Sequence, residues 1–423
     1  MFGSAGASTA SPYRYGQPVC PRQRRLLICR AMTETSSAPR PAFAGSVPRG
    51  RIGVNGFYLA HFLGAVFPAT AGLLLYGWRA TAVLASVMLC TVAATYIWRG
   101  IGPRGRTLHY AHAIWLSLLL ALMLPAHLIA DASHLNTWTL IPLAALLLVM
   151  TLWLSGGLGG LHLHPSLTTY LLLAICFPDL LLPRRILNRD HVLLGDLFGT
   201  QRTDVERASS TDAWISRRHN SSDADLRDPA AEHLSRYTRG REVPSRQWLP
   251  LSALLRDDMP PLEDFIIAGQ PGALGTSSTI AVIIGGLFLL YRGVIDFRIP
   301  LLTCLSAYAA LLILPIPTLI SAAPEWHWAA MRMPGIGWSV AITFVNYEVM
   351  ASPLIFMAFF LATSPNLRPM TRRGRTIFAV FLGLVCATFQ LYVSVSFGPY
   401  LALLIASLLT PELDRWFGVR PIA

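Results

Sequence analysis

The chain has 423 residues, of which 53% are hydrophobic and only 13% charged, where a soluble domain carries about 25% charged residues. With a mean hydropathy of +0.50, it has too few charges to cover a soluble fold of this size, so the composition indicates an integral membrane protein. The formal net charge of +12 is all arginine, since no lysine occurs. The arginines lie in the N-terminal tail and in loops between apolar runs, which fits bilayer orientation and argues against nucleic-acid binding.

Residues 1–55 are rich in Ser, Pro, Gly and Arg and lack an apolar stretch long enough for a signal-peptide core. They read as a disordered cytoplasmic tail, and Met32 offers an alternative start. Apolar runs follow at 56–76, 80–98, 110–130, 137–154 and 166–183, forming a first transmembrane block over 56–183. A spanning helix needs about 20 mostly apolar residues. Pro125 and Pro142 fall inside two of these runs and predict kinks or breaks. Residues 184–276 form a polar loop with charge of both signs. A second block, 277–416, carries runs at 277–295, 300–322, 337–362, 377–395 and 398–411, and residues 417–423 form a short tail. The expected fold is an all-α polytopic membrane protein with about ten transmembrane helices.

Arginine placement predicts the orientation. Arg40, Arg49 and Arg51 precede the first helix. Arg99, Arg104 and Arg106 lie between the second and third, Arg292 and Arg298 between the sixth and seventh, and Arg368, Arg372, Arg373 and Arg375 between the eighth and ninth. The alternate short loops hold only Arg79 and Arg332. All rich loops share a side if both termini are cytoplasmic, which places 184–276 outside. Five helices, a loop and five more predict two inverted repeats. Each half has a helix-breaking stretch beside its fourth helix: SGGLGGLHLHPS in the first and ATSPNLRPMTRRG in the second. Matched breaks point to a central site.

The glycines of SGGLGGLHLHPSLTTY (155–170) lack the preceding strand of a dinucleotide fingerprint and the Gly-Lys-Ser/Thr of a P-loop. His162 and His164 form one HxH pair with no further ligand in view, so no metal site is predicted. The six cysteines include no CxxC pair and read as small hydrophobic residues of the apolar core. His61, His109, His112 and His127 lie in or beside the first and third helices. Paired helix histidines can ligate haem, but scattered ones read better as hydrogen-bonded core or interface residues. Glu348, in FVNYEVMASP, falls near the middle of the eighth helix. A carboxyl there is costly, so it is protonated or paired, and it is a candidate proton or ion relay. The plainer reading is a neutral carboxyl bonded to a neighbouring helix.

GGLGGLHLHPSLTTYLLLAICFP resembles the Gly-Gly-x-Gly signature of the D subunit of Rnf electron-transport complexes, shared with the B subunit of the sodium-pumping NADH:quinone reductase. Residues 260–300, 357–379 and 401–416 resemble further stretches of that family in the same order. The resemblance implies a ten-helix membrane subunit of an ion-translocating electron-transport complex in the bacterial inner membrane, with other complex subunits and the lipid bilayer as partners. It also implies FMN, attached through a phosphoester to a threonine of a Ser-Gly-Ala-Thr stretch in the external loop. The family-motif turns fall on Gly156, Gly157, Gly159, Pro165, Gly272, Gly275, Thr276, Thr363, Ser364 and Pro365.

The chain departs from that pattern. No Ser-Gly-Ala-Thr occurs in 184–276. The nearest counterpart is Ala208–Thr211 (ASST), making Thr211 the candidate attachment residue, and a drifted motif argues against covalent flavin. His164-Pro165-Ser166 replaces Asn-Pro-Ala. Thr276, Ser364 and Phe397 stand where relatives carry acids, which argues for altered or lost ion binding. No nucleophile–base set is visible, so the chain is expected to catalyse nothing alone. The alternative function is a stand-alone channel or carrier on the same inverted-repeat fold.

Overall fold

The computed structural model describes residues 54–101, 109–129, 135–155, 163–181, 262–267, 273–319, 324–328 and 337–417, with single positions at 234, 238 and 255. Residues 1–51 and 52–423 are separate units, and every described element belongs to the second. Thr211, Gly156, Gly157, Gly159, His162 and Gly272 lie outside the described residues.

The first half contains α1 (Val54–Tyr76), α2 (Trp78–Ile101), α3 (Tyr110–Met123), α4 (Leu135–Leu154), α5 (Pro165–Cys176) and the one-turn α6 (Pro178–Leu181). After α7 (Leu262–Ile267) come α8 (Thr279–Tyr291), α9 (Arg298–Ile313), strands β1 (Ile316–Leu319) and β2 (Pro324–His327), and α10 (Trp338–Ala351). Then follow α11 (Leu354–Leu361), α12 (Arg372–Tyr392) and α13 (Gly398–Trp416). The protein is mostly helical and crosses the membrane several times. Among the described residues, the membrane-spanning parts of α1 and α2 and the whole of α12 are each 21 residues, long and apolar enough to cross alone. The bent pair α10–α11 makes a fourth span if counted as one, and α3, α4, α5, α8 and α9 are shorter apolar helices.

Each expected run contains a helix, but three end differently from the sequence expectation. The third run stops at Met123, because Pro125 lacks the N–H that would continue the ladder. A single 3₁₀ turn, Ala126–Ile129, follows. The eighth run bends by 61° between α10 and α11, where Pro353 interrupts the ladder and Ser352 Oγ accepts from the Leu354 N–H at 3.3 Å. The seventh run ends at Ile313 instead of continuing to 322. Pro315 and Pro317 cannot extend it, and β1 pairs with β2 as an antiparallel ribbon, Ile316 opposite His327. The protein is therefore not all-α. Pro142, by contrast, sits within a continuous α4.

α1 and α8 cross at glycines. A Cβ on Gly285 would run into the Gly64 carbonyl oxygen, and one on Gly64 would stand 2.7 Å from Leu289 Cγ. In lipid, helices associate through such close backbone approach, because apolar burial gives no gain over acyl chains. α12 approaches α9 in the same way: a Cβ on Gly383 would collide with Ser306 Oγ and the Thr303 carbonyl. Thr303 Oγ1 donates to the Ala379 carbonyl at 3.3 Å across that crossing. α2 exposes Leu89 and Ile97 on its outer face, as a lipid-facing helix does.

One end of the second half is held by polar contacts. Arg375 pairs with Asp296 at 3.0 Å and donates to the Pro369 and Met370 carbonyls. The Met370 N–H in turn donates to Asp414 at 2.9 Å. The sixth-to-seventh connection, the eighth-to-ninth connection and the end of α13 thus lie together. Burial, with Arg375 close by and Asp296 opposing, pulls the neighbouring Arg368 guanidinium below its ordinary value.

Candidate functional site

Helix breaks from both halves meet in the core. After α3, the Leu124 carbonyl accepts from the Leu274 N–H at 3.0 Å, and Pro125 forms a bridge with Ala273. This contact ties the end of α3 to the short 3₁₀ turn Leu274–Thr276 that leads into α8. Gly275 is required there. A Cβ on it would stand 2.8 Å from Leu122 Cβ and 3.0 Å from Phe356 Cε2. Thr276 is half-buried and donates to the Ala273 carbonyl at 3.1 Å.

The second break supplies three expected site residues. Thr363 and Ser364 are buried and Pro365 is exposed. Thr363 Oγ1 donates to the Phe359 carbonyl at 2.6 Å, and Ser364 Oγ to the Phe360 carbonyl at 3.3 Å. Both close backbone groups of the wide π-helical turn Met357–Leu361. Pro165 opens α5 behind its cap, His164, and Ser166 Oγ donates to the Leu116 carbonyl at 2.8 Å.

A chain of aromatic and imidazole contacts connects the two breaks. The His164 and Trp115 rings lie 5.6 Å apart, and so do those of Trp115 and His61. His61 Nε2 reaches the Phe360 carbonyl at 3.4 Å, the same oxygen that Ser364 contacts. The route therefore runs from α5 through α3 and α1 into α11. His61, Trp115 and His164 are each at most 1% exposed, and sequence reading did not group them. Their one signal was a lone histidine in α1, a tryptophan in α3 and a histidine just before α5.

Glu348 is fully buried in the last turn of α10 before the bend. Gln390 Nε2, from α12, donates to the Glu348 backbone carbonyl at 2.6 Å and to Oε2 at 2.9 Å. Glu348 Oε1 and Gln390 Oε1 have no hydrogen-bond partner. Two Glu348 oxygens thus accept from the one amide nitrogen, and the other carboxyl oxygen stays unpaired. No group of three or more His, Cys, Asp or Glu side chains placed to hold a metal occurs among the described residues. Cys386 is buried, while Cys176 is exposed and does not fit the apolar-core reading of the cysteines.

A sequence model of the NQR2, RnfD, RnfE family matches residues 50–423. The chain belongs to that family. It is 30% identical over 153 residues to the D subunit of the Na(+)-translocating ferredoxin:NAD(+) oxidoreductase complex of Acetobacterium woodii, covering 36% of this chain and 39% of the relative. It is 28% identical over 154 residues to the D subunit of the proton-translocating ferredoxin:NAD(+) oxidoreductase complex of Clostridium ljungdahlii, covering 35% and 40%. The chain thus spans about two fifths of the length of these two relatives. A longer match, 25% identical over 370 residues, covers 84% of this chain and 89% of the D subunit of the ion-translocating oxidoreductase complex of Stutzerimonas stutzeri.

Proposed function

We propose that the chain is a membrane subunit of an Rnf-type ion-translocating electron-transport complex, working in the bacterial inner membrane beside other subunits. The observation that carries this reading is the family match over 50–423, with relatives named as the D subunits of such complexes. Affinity purification from the native membrane tests it: companion redox subunits are expected to copurify, and a solitary, colourless protein would refute it.

Two inverted five-helix repeats, 56–183 and 277–416, joined by an external loop 184–276, are the proposed architecture, with both termini cytoplasmic. Corresponding features support it. The third helix of each half, α3 and α10, is 14 residues long and stops one residue before a proline. Left-handed Gly77 and Gly293, at φ 61° and 68°, follow the first helix of each half.

Glu348 is the proposed proton or ion relay. Its carboxyl is the buried acid at a helix break, paired by one amide, with one oxygen free. Relatives of similar identity are named for different ions, sodium in one and a proton in the other, so the ion is not set by likeness alone. Glu348→Gln is expected to abolish ion-coupled activity of the assembled complex while leaving its assembly intact. Unchanged coupling would sink the relay role.

The family resemblance brings FMN, but the residues of this chain do not fit its covalent attachment. A phosphoester-forming transferase reads the local sequence, and ASST at 208–211 has Ser209 and Ser210 where the attachment stretch has glycine and alanine. Denaturing gels of the purified chain are expected to show no flavin fluorescence. A fluorescent band lost in Thr211→Ala would overturn this. The turn positions Gly156, Gly157, Gly159, Pro165, Gly272, Gly275, Thr276, Thr363, Ser364 and Pro365 are proposed to shape the break site and not to bind cofactor. The neutral residues at 276, 364 and 397 favour one second reading, a stand-alone carrier or channel on the same fold. Solute passage by the isolated chain in liposomes would support it.

A further inference from the structure

Among the described residues, four polar atoms lie unpartnered in the core of the first half. They are His61 Nδ1, Trp115 Nε1 and both ring nitrogens of His164. All belong to the contact chain described above, and the three side chains come from α1, α3 and the cap of α5. A buried polar group without a partner loses its hydration and gains nothing in return, so four together are not left bare in a folded protein.

The donor and acceptor count identifies the guest. A carbonyl only accepts, so the His61 contact with Phe360 O assigns the ring proton to Nε2 and leaves Nδ1 as an acceptor. Trp115 Nε1–H only donates. A neutral His164 brings one donor and one acceptor. The unfilled set is therefore two donors and two acceptors. An anion would meet two lone pairs, and a cation would meet two N–H groups. A metal would find only two ligating nitrogens and no third ligand among the described residues. Neutral molecules that both donate and accept match this set, and because Nδ1 and Nε2 of one imidazole point to opposite sides of the ring, His164 takes one on each side. The residues are 0%, 1% and 0% exposed, so bulk solvent does not reach them, and water is the smallest neutral molecule that both donates and accepts. Buried waters make about three hydrogen bonds to otherwise unpaired groups.

We propose that His61, Trp115 and His164 enclose an internal water-binding site, which ties α1, α3 and α5 to the π-helical turn of α11. Phe57 packs on His61 and Tyr58 on Trp115, with His112 against Tyr58. The inference does not depend on the redox reading, because it rests on side-chain pairing alone.

Radiolytic hydroxyl-radical footprinting of the full-length protein tests it. Radicals formed from a bound water oxidise the side chains around it, whatever their bulk exposure. Trp115 and the two histidines are expected to be labelled several-fold above Phe344 and Phe378, which are as deeply buried, after correction for intrinsic reactivity. After rapid mixing into ¹⁸O-water, their label is expected to become heavy more slowly than that of exposed Tyr291. Labelling at the level of Phe344 and Phe378 would overturn the proposal. Immediate ¹⁸O uptake would overturn it too, since it would mean bulk access. In His164→Leu, Trp115 labelling is expected to fall. If that variant does not fold, the wild-type measurements decide alone.

Discussion

Among the described residues, Gln390 supplies the one hydrogen bond to the Glu348 side chain, so the pair lends itself to a double-mutant cycle. In Gln390→Ala, the Glu348 carbonyl and Oε2 lose donors at 2.6 and 2.9 Å. An interhelical hydrogen bond in a membrane protein measures about 0.6 kcal/mol on average, and about 1.7 at most. Two such bonds therefore put the single substitution at roughly 1–3 kcal/mol. Glu348→Ala removes only the side-chain bond, because the backbone carbonyl still accepts from Gln390. The coupling energy between the two substitutions should then be that of one bond, about 0.6–1.7 kcal/mol. The assay is reversible unfolding of the four proteins in mixed micelles, followed by far-UV circular dichroism. The side chains are in direct contact, so additivity within about 0.2 kcal/mol would refute the reasoning. It would mean that Glu348 is held by something other than Gln390.

Two further outcomes follow from packing. Gly285→Leu places a branched side chain against the Gly64 carbonyl and Phe360; it should destabilise the protein by about 1–3 kcal/mol or separate α1 from α8, measured by thermal aggregation in detergent. Arg375→Ala removes a partly exposed ion pair and two hydrogen bonds to carbonyls. It should cost about 1–2 kcal/mol, mostly from the carbonyls, because partly solvated ion pairs contribute at most about 1 kcal/mol. The loss should change little between low and high salt. A strongly salt-dependent loss in the same melting assay would show that the ion pair dominates.

The helices were legible because most apolar runs are bounded by glycine, proline or arginine, and length and polarity report on lipid directly. The breaks were legible only where punctuation was dense. SGGLGGLHLHPS and ATSPNLRPMTRRG announce themselves, but one proline in a leucine-rich run does not reveal whether it ends a helix. Pro125 and Pro353 end helices, whereas Pro142 does not, and the difference lies in tertiary partners. The Leu124 carbonyl finds Leu274 N–H, a residue 150 positions away in the chain. Ser352 caps its own break. No local pattern carries the first of these. The ribbon Ile316–His327 was missed for a related reason: Leu, Ile and Pro in sequence fit an apolar helix end as well as a strand. The His61–Trp115–His164 group was invisible because its members are separated by 54 and 49 positions and become neighbours only when three helices pack.

The breaks also explain why the two halves stay together. Lipid offers no hydrogen bonds, so a carbonyl released where a helix stops must be satisfied by protein. At α3 that partner is Leu274, in the lead-in to α8. At the π-helical turn, the Phe360 carbonyl is shared between Ser364 of its own half and His61 of the other. Pulling the halves apart would strand the Leu124 carbonyl in hydrocarbon, at several kcal/mol, and would leave the Phe360 carbonyl with Ser364 alone. Glycine contacts at the α1–α8 crossing add van der Waals packing, but they do not fix register. The broken helices do, because each offers one acceptor at one depth to one donor. A helix break in this protein is therefore also the joint that holds its two sides in register.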